Sequence, residues 1–146
     1  MKVVNLAEVE RGEELAHGPF HHFDLGLGPL LGAEFLGCSL YDVPPGARNW
    51  PYHWHAGNEE WLLVVAGRPT LRVPAGECEL APGDVVAFPR DEPGAHDIAN
   101  RTDDDVRLAI FSTLNRGFVA YPDADKLGAG GLYFRRGDAV DYWDGE

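Results

Sequence analysis

Short apolar segments separated by turn signals make up the middle of the chain. Val, Leu, Phe and Ile are concentrated at Phe35–Val43, Trp61–Ala66, Thr70–Val73, Val85–Phe88 and Val106–Thr113. Turn sequences rich in proline and glycine stand between these segments, for example PPG at 44–46 and PGD at 82–84. Many short strands at near-regular spacing are typical of a β-sandwich or β-barrel. The pattern therefore predicts an all-β fold.

The two ends of the chain lack this pattern. The start predicts a short irregular N-terminal segment, in which Leu6–Leu15 offers at most a helical turn or two. The C-terminal third lacks a continuous strand pattern but carries the aromatic residues Tyr133, Phe134, Tyr142 and Trp143. Aromatic side chains of this size seldom stay in water, so we expect an extension at 116–146 that docks on the barrel or on a neighbouring subunit. The chain then forms one domain, 1–146, whose core barrel covers about residues 30–115.

Charge narrows the range of partners. The chain has 24 acidic and 12 basic residues, which gives a formal net charge of −12. A surface this negative repels phosphate backbones and anionic lipids, so we expect neither nucleic acid nor a membrane as a partner. No apolar run is long enough to cross a bilayer, and the acidic N-terminus does not resemble an export signal.

Two cysteines, Cys38 and Cys78, are too few for a disulfide framework and do not form a metal-binding pair such as CxxC. Both lie in strand-like segments, where we expect small buried hydrophobic side chains. The compartment that this indicates is a reducing cytoplasm.

The stretch HWHAGNEE, residues 53–60, concentrates titratable side chains just before the most apolar segment. His53 and His55 are two residues apart, so on a strand they face the same side. The turn-like Ala-Gly-Asn sequence that follows lets the chain fold back and bring Glu60 to that side. Two imidazoles and one carboxylate form a facial donor set for Fe, Mn, Ni or Zn. A solvated polar loop is the alternative that this stretch alone leaves open.

A second stretch, residues 83–100, supplies another histidine. Here a strand runs into a proline- and glycine-containing turn and continues at His96. If the short strand that begins there lies beside the first hairpin, His96 becomes a fourth ligand.

Together the two stretches resemble the signatures of the cupin superfamily. The first signature, G(X)5HXH(X)3–4E(X)6G, is matched from Gly46 to Gly67 with one extra residue before His53, and its spacing selects Glu60 over Glu59. The second is matched by Gly83, Pro89, Gly94, His96 and Asn100, with a longer turn after Pro89 and one residue fewer before His96. The resemblance implies a conical double-stranded β-helix, or jelly-roll barrel, and the ligands His53, His55, Glu60 and His96. The C-terminal sequence also resembles small single-domain cupins whose biochemical role is unassigned.

Three imidazoles and one carboxylate leave at least one coordination position open, which favours chemistry or ligand capture over structural cross-linking. The cofactor predicted is one divalent transition metal ion: Fe, Mn, Zn, Ni or Co. One hypothesis is a small-molecule metalloenzyme of dioxygenase, isomerase or lyase type. The other is a non-catalytic module that binds or senses a metabolite or metal, because the sequence reveals no catalytic acid or base near the ligands.

Three residues that lead into the ligand strand are candidates for substrate binding: Arg48, Asn49 and Tyr52. Arg48 can hold a substrate carboxylate through a bidentate pair, or it can pair with an acid of the protein itself. Tyr52 points away from His53, which favours packing.

Finally, the apolar run Trp61–Ala66 needs cover on both of its faces. We therefore expect a homodimer that binds a small-molecule ligand.

Overall fold

The computed structural model describes residues 1–145 and shows a molecule built almost entirely from β-strands. The helix α1 spans Leu27–Leu31, and short 3₁₀ turns occur at Glu92–Gly94, Pro122–Ala124 and Arg136–Asp138. The strands are β1 (Glu13–His17), β2 (Phe20–Gly26), β3 (Leu36–Val43), β4 (Trp54–His55), β5 (Glu60–Ala66), β6 (Thr70–Val73), β7 (Gly76–Glu79), β8 (Val85–Phe88), β9 (Asp97–Ala99), β10 (Val106–Thr113), β11 (Val119–Tyr121), β12 (Lys126–Ala129) and β13 (Leu132–Arg135). Within 1–145, no helix has the length and apolar character needed to cross a membrane. The all-β prediction is confirmed.

The strands form antiparallel sheets that face each other across one core. The larger sheet has the order β1-β2-β3-β10-β5-β8, and the two smaller ones have the orders β13-β12-β11-β4 and β7-β6-β9. Backbone bridges pair Arg48 with Ala99 and His53 with His96, which joins the approach to β4 to the strand β9. The two smaller sheets therefore make one wall of the barrel, and the six-stranded sheet makes the other.

Side chains on β5 alternate between two apolar clusters, which explains its continuous apolar sequence. Leu62 and Val64 point into the barrel and pack in the main core. Leu63 and Val65 point outward and pack in a second cluster with residues of the N-terminal segment and α1. The strand lies between β10 and β8, so it is not at an edge. Most of the run that was expected to need a partner is thus covered within the chain itself.

The N-terminal segment is more ordered than the sequence predicts. Residues 1–12 are irregular apart from a turn, as expected, but β1 and β2 extend the six-stranded sheet before residue 30. The expected helical turns near Leu6–Leu15 are limited to that turn. Arg107 holds the segment: its guanidinium pairs with Asp42 at 2.7 Å and donates to the carbonyls of Leu6, Ala7 and Val9 at 3.1–3.2 Å. Such a long-range contact has no local sequence signal.

The cysteines are free thiols in different surroundings. Cys38 is half-buried against the second apolar cluster. Cys78 is exposed on the edge strand β7, so the expectation that both are buried is wrong for Cys78.

The C-terminal extension docks on the barrel, as predicted, but it does so as strands. In β11, Val119 and Ala120 pair with His55 and Trp54 of β4. The hairpin β12–β13 continues the same sheet outward. The extension is therefore hydrogen-bonded directly to a strand that carries a predicted ligand.

Two glycines allow this docking by letting two loops cross closely. A Cβ atom on Gly57 would lie 2.5 Å from the carbonyl oxygen of Arg116, and one on Gly117 would lie 2.7 Å from the nitrogen of Gly57. Beside the crossing, the amide of Ala56 donates to the carbonyl of Phe118 at 2.9 Å. No larger residue fits at either glycine without moving the backbone.

We expect Gly117→Ala to loosen the extension, because the added methyl group meets backbone atoms that cannot rotate away. The loss should be about 1–3 kcal/mol, the usual cost of overpacking, read as a lower Tm and faster proteolysis after residue 115. Gly137→Ala is the matched control, since nothing lies within 4 Å of a Cβ atom there. Equal Tm values for the two variants would show that the crossing does not hold the extension.

Candidate metal centre

The four side chains singled out as ligands come together at one end of the barrel. The backbones of His53 and His96 are bridged by two hydrogen bonds, of 3.1 Å and 2.9 Å. His55 follows on β4, and the chain then turns so that Glu60 begins β5 on the same side. The two histidine stretches therefore meet at one end of the barrel.

The donor atoms lie at distances that a single cation can bridge. Those of His53, Glu60 and His96 are all within 4.8 Å of one another. His55 is not part of this mutual set, but its Nε2 lies 3.3 Å from the Glu60 carboxylate. Nε2 of His96 lies 3.7 Å from the same carboxylate. Ligands about 2.1 Å from a metal lie about 3–4 Å apart, so the spacing fits a transition metal. The compact set is thus three residues, with His55 beside it.

Hydrogen bonds fix the tautomers of two imidazoles. Nδ1 of His53 contacts the carbonyl oxygen of Pro51 at 2.8 Å, and Nδ1 of His96 contacts that of Gly94 at 2.9 Å. A carbonyl only accepts, so each Nδ1 must carry the proton and each Nε2 keeps a free lone pair. The ring of His96 also stacks on Phe88, with centroids 3.8 Å apart. These contacts orient the lone pairs before any ligand arrives.

Burial sets the charge of the cluster. Desolvation, with the nearby His96, lowers the pKa of His53 to about 3. Burial likewise lowers the pKa of His55 and of His96 to about 4. Burial raises the pKa of Glu60 to about 7. The imidazoles are therefore neutral at physiological pH, which is the form that binds metal, and the carboxylate has no cationic partner among the ligands.

The residues present therefore fit a divalent transition metal ion. Neutral imidazoles with one carboxylate suit Fe, Mn, Co, Ni or Zn, and do not discriminate among them. Glu60 is only 13% exposed at its side chain, and a buried carboxylate needs a positive partner to remain charged. A cation bound at these donors would supply that charge.

A cavity of about 300 Å³ opens above the donors. Besides the four candidate ligands, its lining is aromatic and apolar: Tyr41, Trp50, Pro51, Ile110, Val119, Tyr121 and Tyr133. The volume is that of a small-metabolite site. Beyond the candidate ligands, the polar side-chain groups of the lining are three tyrosine hydroxyls and one indole N–H.

Part of this lining was missed by sequence reasoning. Val119, Tyr121 and Tyr133 belong to the C-terminal extension, whose aromatic residues predicted docking but gave no sign of a role at the site. Tyr121 stacks on His53, with ring centroids 6.0 Å apart. The extension is thus a wall of the cavity.

The three residues predicted to bind substrate do not line this cavity. Arg48 pairs with Asp97 at 2.6 Å on the other side of the wall, the alternative that the sequence left open. Asn49 is buried at 1% exposure, and Tyr52 is buried beneath the guanidinium of Arg72, 3.9 Å from its ring centre. Bends at residues 49, 50 and 52 separate the backbone bridge at Arg48 from the one at His53, so these side chains do not follow His53 into the cavity.

Comparison with known proteins agrees with this architecture. A family model described as Cupin_2, a cupin domain, matches residues 39–112. A structure from Silicibacter pomeroyi, described as a sugar phosphate isomerase of a cupin superfamily, is 25% identical with a TM-score of 0.81, covering 98% of each chain. One from Acidithiobacillus ferrooxidans, provisionally described as a sugar phosphate isomerase, is 26% identical with a TM-score of 0.80, covering 90% of this chain and 89% of that one.

A third structure shows the fold alone. A polyketide cyclase from Streptomyces resistomycificus is 22% identical with a TM-score of 0.63, covering 77% of this chain and 79% of the other. No curated protein matches the chain.

Metal affinity should depend on pH through one proton. A cation must displace the proton of Glu60, whose pKa is about 7, so affinity should fall about tenfold for each pH unit below 7 and level off above it. The histidines add nothing in this range, because their pKa values lie at about 3 to 4. Titration calorimetry with Mn²⁺ or Zn²⁺ between pH 5.5 and 8 measures the slope. A fall of a hundredfold or more per unit would mean that the imidazoles titrate normally and would contradict the burial argument.

Proposed function

Since the chain belongs to the Cupin_2 family, we propose that it is a metal-dependent isomerase acting on a small hydroxylated carbonyl compound. The observation that carries the proposal is the convergence of donors from His53, Glu60 and His96 on the floor of a tyrosine-lined cavity. A site meant only for structural cross-linking would be closed, whereas this one faces open volume.

A bound divalent cation would supply a Lewis acid for adjacent oxygen atoms of such a substrate. The chain's part is to hold the substrate around it. The walls at Trp50, Ile110 and Val119 exclude water from one side of the cavity and offer apolar surface to carbon atoms. The volume of about 300 Å³ limits the substrate to a small metabolite.

The tyrosines act as hydrogen-bond donors rather than bases. Burial raises the pKa of Tyr121 to about 12, with a further contribution from Tyr133. Burial, together with nearby Asp24, also raises the pKa of Tyr41. Both hydroxyls therefore keep their protons at neutral pH and can donate to substrate oxygens.

Isomerase activity is favoured over dioxygenase or lyase activity by the solved relatives. The two structures with similarity over most of the chain are described as sugar phosphate isomerases, one of them provisionally. Interconversion of a hydroxyl and a neighbouring carbonyl is assisted by a cation that contacts both oxygens, and an open N,N,O site can accept two such oxygens.

A second candidate is a binding or sensing module that leaves its ligand unchanged. With Glu60 committed to the cation, the shifted pKa values in the lining lie far from neutrality: those of the histidines are about 3 to 4, and that of Tyr121 is about 12. General acid–base catalysis works best with a group that titrates near the operating pH. This observation favours binding without turnover.

Replacing Glu60 with glutamine keeps the shape of the side chain and removes its charge. We expect Glu60→Gln to lose at least about tenfold in affinity for Mn²⁺ or Zn²⁺ while keeping the far-ultraviolet circular dichroism of the wild type. His55→Ala should also weaken uptake. His17→Ala is the control, because His17 is exposed on β1 away from the donors. The measurement is the metal content, by mass spectrometry, of each protein purified without added metal. A metal content in Glu60→Gln equal to that of the wild type would refute the metal site.

Turnover separates the two candidate functions. An isomerase loaded with Mn²⁺ should interconvert an aldose and its ketose, or exchange the hydrogen beside the carbonyl with deuterated water, in a panel of small sugars and sugar phosphates followed by NMR. Tight binding of a compound that emerges unchanged and unlabelled would favour the sensing module. Loss of both signals in Glu60→Gln ties them to the metal.

The proposal includes a homodimer through an apolar groove on the outer face of the six-stranded sheet. The groove has a volume of about 390 Å³ and is lined by Leu36, Glu59, Trp61, Phe111, Ser112 and Thr113. Trp61 and Leu36 are each 51% exposed, and Phe35 beside them is 84% exposed. A second copy is the occupant we favour, because an apolar sheet face with a single acid in its lining can pair with itself around a two-fold axis.

Light scattering coupled to size exclusion should give twice the 16.0 kDa chain mass at micromolar concentration. Trp61→Glu should give a monomer, because a charge in the centre of an apolar interface is costly to bury. Trp143→Glu, at a tryptophan that is 71% exposed outside the groove, should remain dimeric. A monomeric wild type would remove the dimer from the proposal.

A further inference from the structure

One face of the C-terminal sheet continues the wall of the metal cavity outward. Paired residues in antiparallel strands share a face, so the registers show which side chains lie on it. Val119 pairs with His55, Tyr121 with Lys126, and Lys126 with Arg135. Because His55, Val119 and Tyr121 face the cavity, Lys126 and Arg135 lie on the cavity side as well.

The contacts of Lys126 agree with this register. Its Nζ lies 4.5 Å from the ring centre of Tyr121 and 5.0 Å from that of Tyr133. The two rings meet over Gly128, where a Cβ atom would lie 2.8 Å from the ring of Tyr133. The ammonium group is thus held against the two tyrosines of the cavity wall.

Two like charges lie side by side on this face. Lys126 and Arg135 are directly opposite each other on neighbouring strands, and like charges in that position repel. Across residues 1–145, neither has a carboxylate within 4.0 Å, although acids outnumber bases two to one. By contrast, Arg48, Arg72 and Arg101 on the other side of the wall are each paired with an acid.

The position of these cations matches the length of a small substrate. His53 stacks on Tyr121, and Lys126 lies one strand further out. Strands are spaced by about 4.8 Å, so the backbone of Lys126 is about 10 Å from the strand of the ligand histidines, and its side chain reaches back toward the cavity. An extended pentose or hexose with one end at the metal would bring its other end to the ammonium group.

We propose that Lys126 and Arg135 form an anion subsite at the rim of the cavity, which receives the phosphate or carboxylate group of a substrate whose opposite end binds at His53, Glu60 and His96. This inference rests on the proposed function and narrows its substrate to a small anionic sugar derivative. Lys126 supplies a point charge close to the tyrosines, and Arg135 supplies a fork that can hold two oxygens. The cavity lining has no Lys or Arg of its own, so selection for an anion depends on these two residues.

The test compares three probes that share the aldehyde end and differ only at C5: ribose 5-phosphate, riburonate (the C5 carboxylate) and free ribose. Titration calorimetry on the full chain loaded with Mn²⁺ gives the affinity for each probe. We expect the wild type to bind at least one anionic probe about tenfold or more tightly than ribose, and the preferred anion identifies the group as phosphate or carboxylate. Lys126→Met and Arg135→Met should each reduce the preference, and the double variant should abolish it, with the affinities for Mn²⁺ and ribose unchanged.

Two further variants guard against indirect effects. Lys126→Arg should keep the preference, since it keeps the charge. Arg136→Met should leave every affinity unchanged, because Arg136 is the adjacent arginine but lies on the 3₁₀ turn after β13. The subsite is overturned if the wild type does not prefer either anion, if the double variant retains the preference, or if Arg136→Met loses it equally.

The same titrations separate this inference from the function on which it rests. Intact Mn²⁺ binding with no anion preference refutes the subsite alone. Absence of Mn²⁺ binding refutes the metal-dependent function, while an anion preference measured in the Mn²⁺-free protein, and lost in the double variant, would still support the subsite.

Discussion

Two backbone hydrogen bonds between His53 and His96 bring together segments that are far apart in the chain, and the rest of the site is arranged around them. They join β4 to β9 and so fix the side of the wall on which both imidazoles project. Glu60, at the start of β5, completes the set of candidate metal donors. Burying these donors together has an electrostatic cost. Burial keeps the imidazoles neutral and raises the pKa of the carboxylate, so the cluster of donors favours a bound cation over any other charge.

The sequence predicts the centre of this site better than its surroundings, and the reason is local. His53, His55 and Glu60 lie within one hairpin whose spacing and turn residues are visible along the chain, and His96 follows a recognisable proline- and glycine-containing turn. The cavity wall at Tyr121 depends on the pairing of β11 with β4, and no local sequence pattern predicts that pairing. The same limit applies to the N-terminal segment, which is held by Arg107 from the far end of the sequence.

The residues that the sequence suggested for substrate binding lie outside the cavity for a related reason. Proximity in sequence to the ligand strand suggested Arg48, Asn49 and Tyr52, but bends at residues 49, 50 and 52 separate the bridge at Arg48 from the bridge at His53. Arg48 and Tyr52 instead take part in a network of arginines and acids outside the cavity, in which Asp97 has its pKa raised by burial despite the neighbouring Arg48. That network stabilises the outer side of the wall whose inner side holds the donors.

In the proposed function, the candidate metal ligands and the residues that would select the substrate lie on different parts of the fold. The donors sit on the closed barrel, where backbone pairing on both sides allows little movement and cation geometry can be maintained. Tyr121, Tyr133 and the two rim cations sit on an added sheet that is joined to the barrel through β4 and a crossing of two glycines. Few buried apolar residues hold that sheet, and the side chains of β13 are exposed along its length. Such an element can change its side chains at little cost to the core, so variation in substrate among proteins with this barrel should concentrate in the extension rather than in the metal ligands.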